Sequence, residues 1–231
     1  MKIAILSDIH GNYTALKAVL RDVENEGVKK LFCLGDYVGY YYEPEKCIDL
    51  LFNWDIECVR GNHENMLFEI IKNSKLLEYY KNIHGSGIEE ALEKLNSKHL
   101  QFLEKMPETL EVIIKNFNFI LCHGSPWDVN YYLYPDREIS VFKKCASLGK
   151  DFVLLGHTHR QMIKKVDSTI IINPGSVGQP RDKNKGACWA LLDLEKKKYI
   201  LKTTKYNSMN EIAQVNNNDP EKNQLVKYLT F

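Results

Sequence analysis

Five short clusters rich in Asp, Asn and His are spaced through residues 8–159, and each directly follows a short apolar run. Glycines beside the clusters let the backbone turn sharply or approach a ligand closely. Because sites in α/β proteins form beyond the carboxyl ends of the sheet strands, these clusters can converge on one place. The clusters are Asp8-Ile9-His10-Gly11-Asn12, Gly35-Asp36-Tyr37-Val38-Gly39, Gly61-Asn62-His63-Glu64, His123-Gly124-Ser125-Pro126 and Gly156-His157-Thr158-His159.

The residue types in these clusters are those of a metal site. Asp and Asn oxygens, together with His nitrogens, suit Zn²⁺, Mn²⁺, Fe or Ni. Seven candidate ligands are too many for one ion and about right for two. A pair of ions clamps the attacking and leaving oxygens of an in-line displacement. Asp36, which follows the second apolar run, is the natural carboxylate to bridge the two ions.

The elements that must position these clusters follow from the hydrophobic pattern. Short apolar runs at 3–6, 31–34 and 56–59 predict buried strands. Apolar residues at helical spacing predict a helix over 16–23, and a second helix is predicted over 44–52. Alternating strands and helices are typical of a parallel α/β sheet.

Residues 65–107 carry no strand signal, and we interpret them as an insertion of two or three helices within a single domain of residues 1–231. We expect this insertion to form a cap or wall beside the site. Strand and helix signals then alternate again, and the tail from Asn207 is polar. The predicted elements are a hairpin of 110–114 and 117–121, a helix at 138–148, a strand at 152–155, a mostly antiparallel run over 162–205 and a short helix near 221–229.

The five clusters, in this order along the chain, resemble those of the calcineurin-like metallophosphoesterase superfamily. The segment from Asn173 to Arg181 extends the similarity to the small prokaryotic phosphodiesterase branch of that superfamily. The resemblance implies an α/β fold, a four-layer α-β-β-α sandwich of two mixed sheets with helices outside. The helical insertion at 65–107 would be an addition to that sandwich.

The resemblance also implies two divalent transition-metal ions, Mn, Fe, Zn or Ni, with Asp36 bridging them. A metal-bridging hydroxide would attack a phosphodiester or phosphomonoester in line, and His63 would assist the leaving group. Asp36 and Asn62 join His63 as the implied catalytic residues. The implied ligand sets are Asp8, His10, Asp36 and His159 for one ion, and Asp36, Asn62, His123 and His157 for the other.

One departure from related enzymes bears on the substrate. Protein phosphatases that resemble this chain continue the second motif with Asp-Arg-Gly, and that Arg binds phosphate. Here the motif continues with Tyr40, which favours a phosphodiesterase over a protein phosphatase. Arg181 or Arg60 can supply a positive charge instead, although Arg60 suits a structural ion pair equally well. The candidate substrate-binding residues are Arg181, Tyr40 and Asn12.

Two groups of aromatic residues follow metal motifs, at 40–42 and at 127–134. They suit either a stacking platform for a flat substrate group or the packing of loops against the helical insertion. Two further histidines, His84 and His99, fall in the insertion, and we interpret both as structural.

Composition limits the class of protein. The chain has 231 residues, with 31 Lys and Arg against 30 Asp and Glu, a formal net charge of +1. This near-neutral balance argues against a duplex nucleic-acid binder, which needs a basic face. No run of about 18 apolar residues is present, so we expect no membrane partner. The short apolar start predicts a cytoplasmic protein.

The expected partner is a small phosphoester, with nucleotides among the options, and a homo-oligomer is left open. The alternative function is a protein-binding scaffold on the same fold with little or no catalysis. The presence of His63 together with all seven candidate ligands favours the enzyme over the scaffold.

Overall fold

The computed structural model describes residues 1–182 and 186–230, and its strands form two mixed five-stranded sheets. The strands are β1 (Lys2–Leu6), β2 (Lys30–Leu34), β3 (Asp55–Val59), β4 (Thr109–Ile114), β5 (Phe117–Cys122), β6 (Phe152–Leu154), β7 (Gln161–Val166), β8 (Thr169–Pro174), β9 (Ala187–Asp193) and β10 (Lys198–Thr204). The helices are α1 (Tyr13–Asn25), α2 (Pro44–Leu51), α3 (Asn62–Lys72), α4 (Leu77–His84), α5 (Gly87–Lys94), α6 (Ser97–Glu104), α7 (Ile139–Ala146), α8 (Met209–Asn218) and α9 (Asn223–Lys227).

The strand order places the predicted clusters at shared sheet edges. The first sheet has the order β10-β9-β1-β2-β3, in which β1, β2 and β3 are parallel. The second has the order β4-β5-β6-β8-β7, in which β6 is parallel to β5 and β8. The carboxyl ends of β1, β2 and β3 therefore lie together in one sheet, and those of β5 and β6 in the other.

Alternation along the strands gives each sheet two apolar faces. In β1, Ile3 and Ile5 point into the core between the two sheets, whereas Ala4 and Leu6 point into the core beneath α1 and α2. Across the inter-sheet core, the ring of Phe119 packs edge-on against Phe32 of the first sheet. A third core lies between the second sheet and α7. The layers are therefore helix, sheet, sheet and helix, which confirms the predicted sandwich.

The predicted hairpin is confirmed between β4 and β5. Its two turn residues, Lys115 and Asn116, have positive φ angles of 47° and 67°, as a tight two-residue hairpin requires. The expected count of two or three helices in the insertion is wrong, because the region from α3 to α6 holds four α-helices. Gly85, with φ +84°, ends α4, and the Asn96 side chain caps α6. The connections between these helices are so short that the spacing of apolar residues does not show where one helix ends and the next begins.

The polar tail contains a helix that the sequence pattern did not predict, α8, as well as the expected short helix, α9. Both pack on the loop that follows β2, where Tyr41 and Tyr42 are buried among residues of the two helices. The Asp219 carboxylate, which is 2% exposed, accepts hydrogen bonds from Ser86 N–H, Ser86 O–H and Tyr42 O–H. The tail is thereby attached to both the insertion and the site loop.

Within 1–182 and 186–230, no helix is both long enough and apolar enough to cross a membrane.

Candidate active site

The strand ends bring all seven candidate ligands together, as the sequence predicts. A first group forms where β1 meets the loop after β6. The Nε2 atom of His159 lies 3.2 Å from Asp8 Oδ1 and 3.1 Å from His10 Nε2. All three side chains are buried. A carboxylate and two imidazoles therefore point their donor atoms at a common point.

A second group forms between β2, β3 and the second sheet. The Nε2 atom of His123 lies 3.2 Å from Asp36 Oδ2, 3.0 Å from Asn62 Oδ1 and 3.2 Å from His157 Nδ1. The Asp36 carboxylate also lies 3.6 Å from His10 Nε2 in the first group. Asp36 is thus in contact with both groups, which is the position that a bridging ligand requires.

The backbone at these residues is strained. Five of the seven candidate ligands have φ angles between 51° and 64°, in the left-handed region that non-glycine residues rarely adopt. Hydrogen bonds between strand ends hold this conformation: Asp8 N–H donates to Gly35 C=O over 3.0 Å, and His10 N–H to Asp36 C=O over 2.9 Å. The five left-handed residues are Asp8, His10, Asp36, His157 and His159.

Glu64 belongs to the third cluster, and its residue type alone does not indicate its role in the site. Its buried carboxylate accepts backbone N–H bonds from the loops after β2 and β3, which carry two members of the second group. One oxygen accepts from Asp36 at 2.9 Å and Gly61 at 2.8 Å, and the other from Tyr37 at 2.7 Å and Val38 at 3.2 Å. Burial, and then the charge of Asp36, raises the pKa of Glu64 to about 7. Glu64 is therefore a positioning residue for Asp36 and for the start of α3.

The charges within the donor cluster stabilise one another. Burial opposes ionisation of Asp36, but the neighbouring His123 and His63 hold its pKa well below the usual range. Burial opposes protonation of His123, yet the Asp36 and Asp8 carboxylates raise its pKa to about 9. Burial lowers the pKa of His157 to about 3. At neutral pH, His123 is therefore a cation beside two carboxylates, whereas His157 is neutral.

His63 lies beside the cluster on the first turn of α3. Its Nε2 atom is 4.0 Å from Asp36 Oδ2, and its buried Nδ1 atom has no hydrogen-bond partner. Burial lowers the pKa of His63 to about 4, so the imidazole is neutral at pH 7. Gly39 fixes the ring from the other side, since a Cβ at this position would lie 2.2 Å from His63 Nδ1.

These groups open into a cavity of about 130 Å³. The Tyr40 ring centroid is 4.5 Å from that of His10, and the Tyr132 ring centroid is 3.8 Å from that of His157. Arg181 also lines the cavity, and one of its Nη atoms donates to Gln179 over 2.7 Å. Tyr40 and Arg181 therefore occupy the positions that a substrate-binding role requires.

His84, which we interpret as structural from the sequence, lies in the wall of the cavity. Its ring centroid lies 4.9 Å from that of His63, and its side chain lines the same cavity. His84 ends α4 of the insertion, a region whose sequence shows no cluster that would indicate a site. His99, by contrast, is structural as expected, since it stacks on Phe52 and contacts Asp49 Oδ1 at 3.1 Å.

Asn12 does not reach the cavity, and the structure gives it a structural role in place of the expected substrate contact. Its Oδ1 atom accepts the Ala15 N–H at the start of α1. Its Nδ2 atom donates to Gly178 C=O over 2.9 Å and to the Tyr206 hydroxyl over 3.0 Å. The amide is fully buried and bonded at both ends. The expectation failed because a helix cap and a ligand contact use the same residue type.

Of the two arginines left open by the sequence, Arg60 lies outside the cavity and 3.8 Å from Glu108, in a structural ion pair.

The two groups of aromatic residues contain both cavity-lining residues and residues that pack inside the protein. Tyr41 and Tyr42 pack against the tail, and Trp127 packs on Tyr131. Tyr40 and Tyr132 line the cavity, where stacking on a substrate group stays a prediction.

A larger cavity of about 960 Å³ lies between α1, α2 and the residues after β10. It includes Trp54 and Lys205 but none of the candidate ligands. We assign the candidate active site to the smaller cavity in spite of its volume, because the donor atoms converge there.

The donor set fits a transition metal. Three groups of carboxylate and imidazole side chains each bring their donor atoms within 4.8 Å of one another. The buried Asp8 Oδ1 atom accepts no hydrogen bond, although a buried carboxylate oxygen normally has a partner. Mixed imidazole and carboxylate ligands with one amide oxygen suit Zn, Mn, Fe or Ni. The groups are Asp8, His10 and His159; His10, Asp36 and His63; and Asp36, His123 and His157.

Two mixed sheets with imidazole and carboxylate clusters at their strand ends define the chain as a metallophosphoesterase. A family model described as the calcineurin-like phosphoesterase superfamily domain matches residues 1–197. The chain belongs to this family, which is metal-dependent, and this membership supports phosphoester hydrolysis as its activity.

Similar proteins agree with this assignment. An uncharacterised protein of Methanocaldococcus jannaschii is 33% identical over 83% of this chain and 82% of its own length. A phosphodiesterase of the same organism is 25% identical over 86% of this chain and 96% of its own. A solved metallophosphoesterase from Sphaerobacter thermophilus is 26% identical to this chain. The alignment covers 99% of this chain and 98% of that one, with a TM-score of 0.77.

The same fold occurs in a hypothetical protein from Pyrococcus horikoshii, which is 20% identical. The alignment covers 99% of this chain and 97% of that one, with a TM-score of 0.85. The fold is therefore shared over nearly the whole length, including the region beyond residue 197.

Replacing Glu64 by Gln tests the positioning role. The NH₂ group of the new amide would replace one carboxylate oxygen, which now accepts hydrogen bonds from two backbone N–H groups. These two buried N–H groups would then have no acceptor. We expect a loss of about 2–3 kcal/mol in the free energy of unfolding, together with weaker metal binding. Chemical denaturation of metal-free and metal-loaded protein measures both. Glu93→Gln, at an exposed position, is the control, and equal stability of the two variants would contradict this role.

Proposed function

We propose that this chain is a binuclear metal-dependent phosphoesterase that prefers phosphodiesters. The observation that carries the proposal is the convergence of seven donor side chains from both sheets around Asp36. The proposed ligands are Asp8, His10, Asp36 and His159 for one ion, and Asp36, Asn62, His123 and His157 for the other.

Two bound divalent ions would supply Lewis acidity and an activated water nucleophile at neutral pH. The chain's own contribution is to hold the donors and to orient the phosphoester. Burial of the donors and the tyrosine walls exclude bulk water from the cluster. Arg181 is the only Lys or Arg among the described residues that line the cavity, and we propose that it binds a phosphoryl oxygen.

The diester preference rests on the departure from the protein-phosphatase motif. The second cluster continues with Tyr40, where the phosphatases have the Arg that binds phosphate, and Arg181 is the guanidinium at this cavity. The relative named as a phosphodiesterase supports the same preference.

His63 is proposed to assist the leaving group. The neutral ring donates one N–H, and protonation of a leaving oxygen needs a second proton on the ring. A phosphate anion bound beside His63 favours the protonated form of the imidazole, because a nearby opposite charge stabilises the charged form.

We also propose that the insertion at 65–107 acts as a cap. It supplies Met66 and His84 to the cavity wall. Gly87 at the start of α5 lies so close to the site loop that a Cβ there would come within 2.5 Å of Tyr40 N. The insertion therefore contacts both the cavity and the loop that carries Tyr40.

A protein-binding scaffold is the alternative function. A scaffold would need neither a neutral His63 beside the donor cluster nor a cavity open to it. The arrangement of His63, Tyr40 and Arg181 around the cavity supports the enzyme.

The metal proposal is tested by the ions retained per chain. Wild-type protein should bind about two ions, and a chelator should abolish hydrolysis of bis-nitrophenyl phosphate. Asp36→Asn should weaken both ions, because one carboxylate contacts both groups, whereas His159→Ala should mainly affect one. Metal analysis after dialysis measures this. An intact pair of ions in Asp36→Asn, or loss of both in His159→Ala, would contradict the assignment.

Metal binding should depend on pH through His123. Its pKa of about 9 means that the ring is protonated at pH 7 and must lose that proton to become a ligand. We therefore expect affinity to rise as pH rises, about tenfold per pH unit up to about 9 for one displaced proton. Calorimetry in buffers of different ionisation enthalpy measures the proton release, with His99→Gln as a control outside the site. Constant affinity between pH 6 and 8 would show that His123 is already neutral.

The role of His63 is tested with two leaving groups. An alkoxide is a poor leaving group and gains from a proton, whereas a nitrophenolate leaves without one. General acid assistance contributes about 10²–10⁴-fold, so His63→Ala should slow an alkyl diester far more than a nitrophenyl diester. Metal content should stay unchanged. Equal slowing of both substrates would assign His63 to charge stabilisation on the phosphoryl oxygens.

A further inference from the structure

A second cavity of about 190 Å³ adjoins the candidate active site. The two cavities share Tyr40, His84 and Arg181 as common walls. The far side is built by the tail, with Lys222, Gln224, Leu225 and Tyr228. We call this cavity the tail subsite. The wall that the tail supplies lies beyond the residues that the family model matches, because that match ends at residue 197.

Two cations of the tail subsite have no anionic partner within residues 1–182 and 186–230. Among the residues that the structure describes, no carboxylate lies within 4.0 Å of the Arg181 guanidinium or the Lys222 ammonium. Arg181 contacts Gln179, the Tyr40 hydroxyl and the ring of Tyr228, and its buried Nε–H has no hydrogen-bond acceptor. Lys222 donates one hydrogen bond, to Asn82 C=O over 2.6 Å. Unpaired positive charges around one cavity favour an anionic ligand.

The walls of the tail subsite are fixed in place. Tyr228 is oriented by Gln224, whose Nε2 atom donates to the Tyr228 hydroxyl over 3.1 Å. Leu225 is buried, and its C=O accepts the Tyr41 hydroxyl over 3.2 Å. The backbone N–H of Lys222 donates to Asp219 C=O over 2.9 Å, and the Asp219 carboxylate is itself held by the insertion and the site loop. The cations are therefore presented by a preorganised surface.

Size selects the kind of anion. Pockets for drug-sized ligands measure about 300–1,000 Å³, so a cavity of about 190 Å³ suits one compact group rather than a second whole nucleotide. Phosphate is compact, carries one or two negative charges, and accepts hydrogen bonds from guanidinium and ammonium donors.

We propose that the tail subsite binds a second phosphate of the substrate, so that the enzyme selects phosphoesters that carry another phosphate on the same molecule. This inference rests on the proposed function, because it takes the scissile phosphoryl group to lie at the metal cluster. Arg181, on the shared wall, then contacts both phosphates, and Lys222 contacts only the second one.

Direct binding to the manganese-loaded protein tests the proposal, with adenosine 3′,5′-bisphosphate and adenosine 5′-monophosphate as probes. Wild-type protein should bind the bisphosphate about 10–100-fold more tightly, the range of one or two charge-assisted hydrogen bonds. Lys222→Ala should remove most of that preference. Lys227→Ala, at the last residue of α9 and outside the tail subsite, should retain it.

Equal affinity of the two probes for wild-type protein, or a preference that survives Lys222→Ala, would overturn the tail subsite. Hydrolysis of bis-nitrophenyl phosphate, measured on the same preparations, separates this outcome from failure of the proposed function. That substrate has no second phosphate, and Lys227→Ala, which lies outside both cavities, should hydrolyse it at the wild-type rate. Absence of hydrolysis in wild-type protein would reject the phosphoesterase proposal while the binding comparison still decides the subsite.

Discussion

Left-handed backbone at the strand ends is the constraint on which the site depends. A non-glycine residue in this conformation costs about 1–3 kcal/mol, and Asp8, His10 and Asp36 all adopt it. The cost is offset by hydrogen bonds between neighbouring loops, such as Gly156 N–H to His123 C=O over 2.7 Å, and between the sheets, such as Val177 N–H to Ser7 C=O over 3.0 Å. Each left-handed residue turns its side chain out of the strand line and toward its neighbours. The donors are therefore positioned by the fold itself, with Glu64 tying two of the loops together.

Much of this arrangement could be predicted from sequence because the information is local. The apolar runs predicted the strands, and the polar cluster after each run predicted the donors. Because β1, β2 and β3 pair in parallel, their carboxyl ends lie at the same edge of the sheet. The hairpin at Lys115 and Asn116 was predictable for the same reason, since turn type and strand pairing are set within a few residues.

The parts that sequence reasoning missed depend on contacts between distant segments. His84 lies in a region with no metal-type motif, and only the packing of α4 against α3 brings it to His63. Nothing in a polar tail indicates that Asp219 bonds Ser86, 133 residues earlier. Asn12 was misassigned because its amide chemistry suits a ligand and a helix cap equally well, and burial decides between them. Local pattern therefore predicted the donors, but the walls of the cavity required the tertiary structure.

The tail that is attached through Asp219 is synthesised after all of the proposed metal ligands. Domains begin to fold from the amino terminus during synthesis. A nascent chain released as far as His159 already contains every proposed metal ligand, whereas α8 and α9 are still untranslated. The acceptor for Ser86 and Tyr42 arrives only with Asp219. The proposed metal ligands are therefore synthesised first, and the wall of the tail subsite that contains Lys222 and Tyr228 is synthesised afterwards.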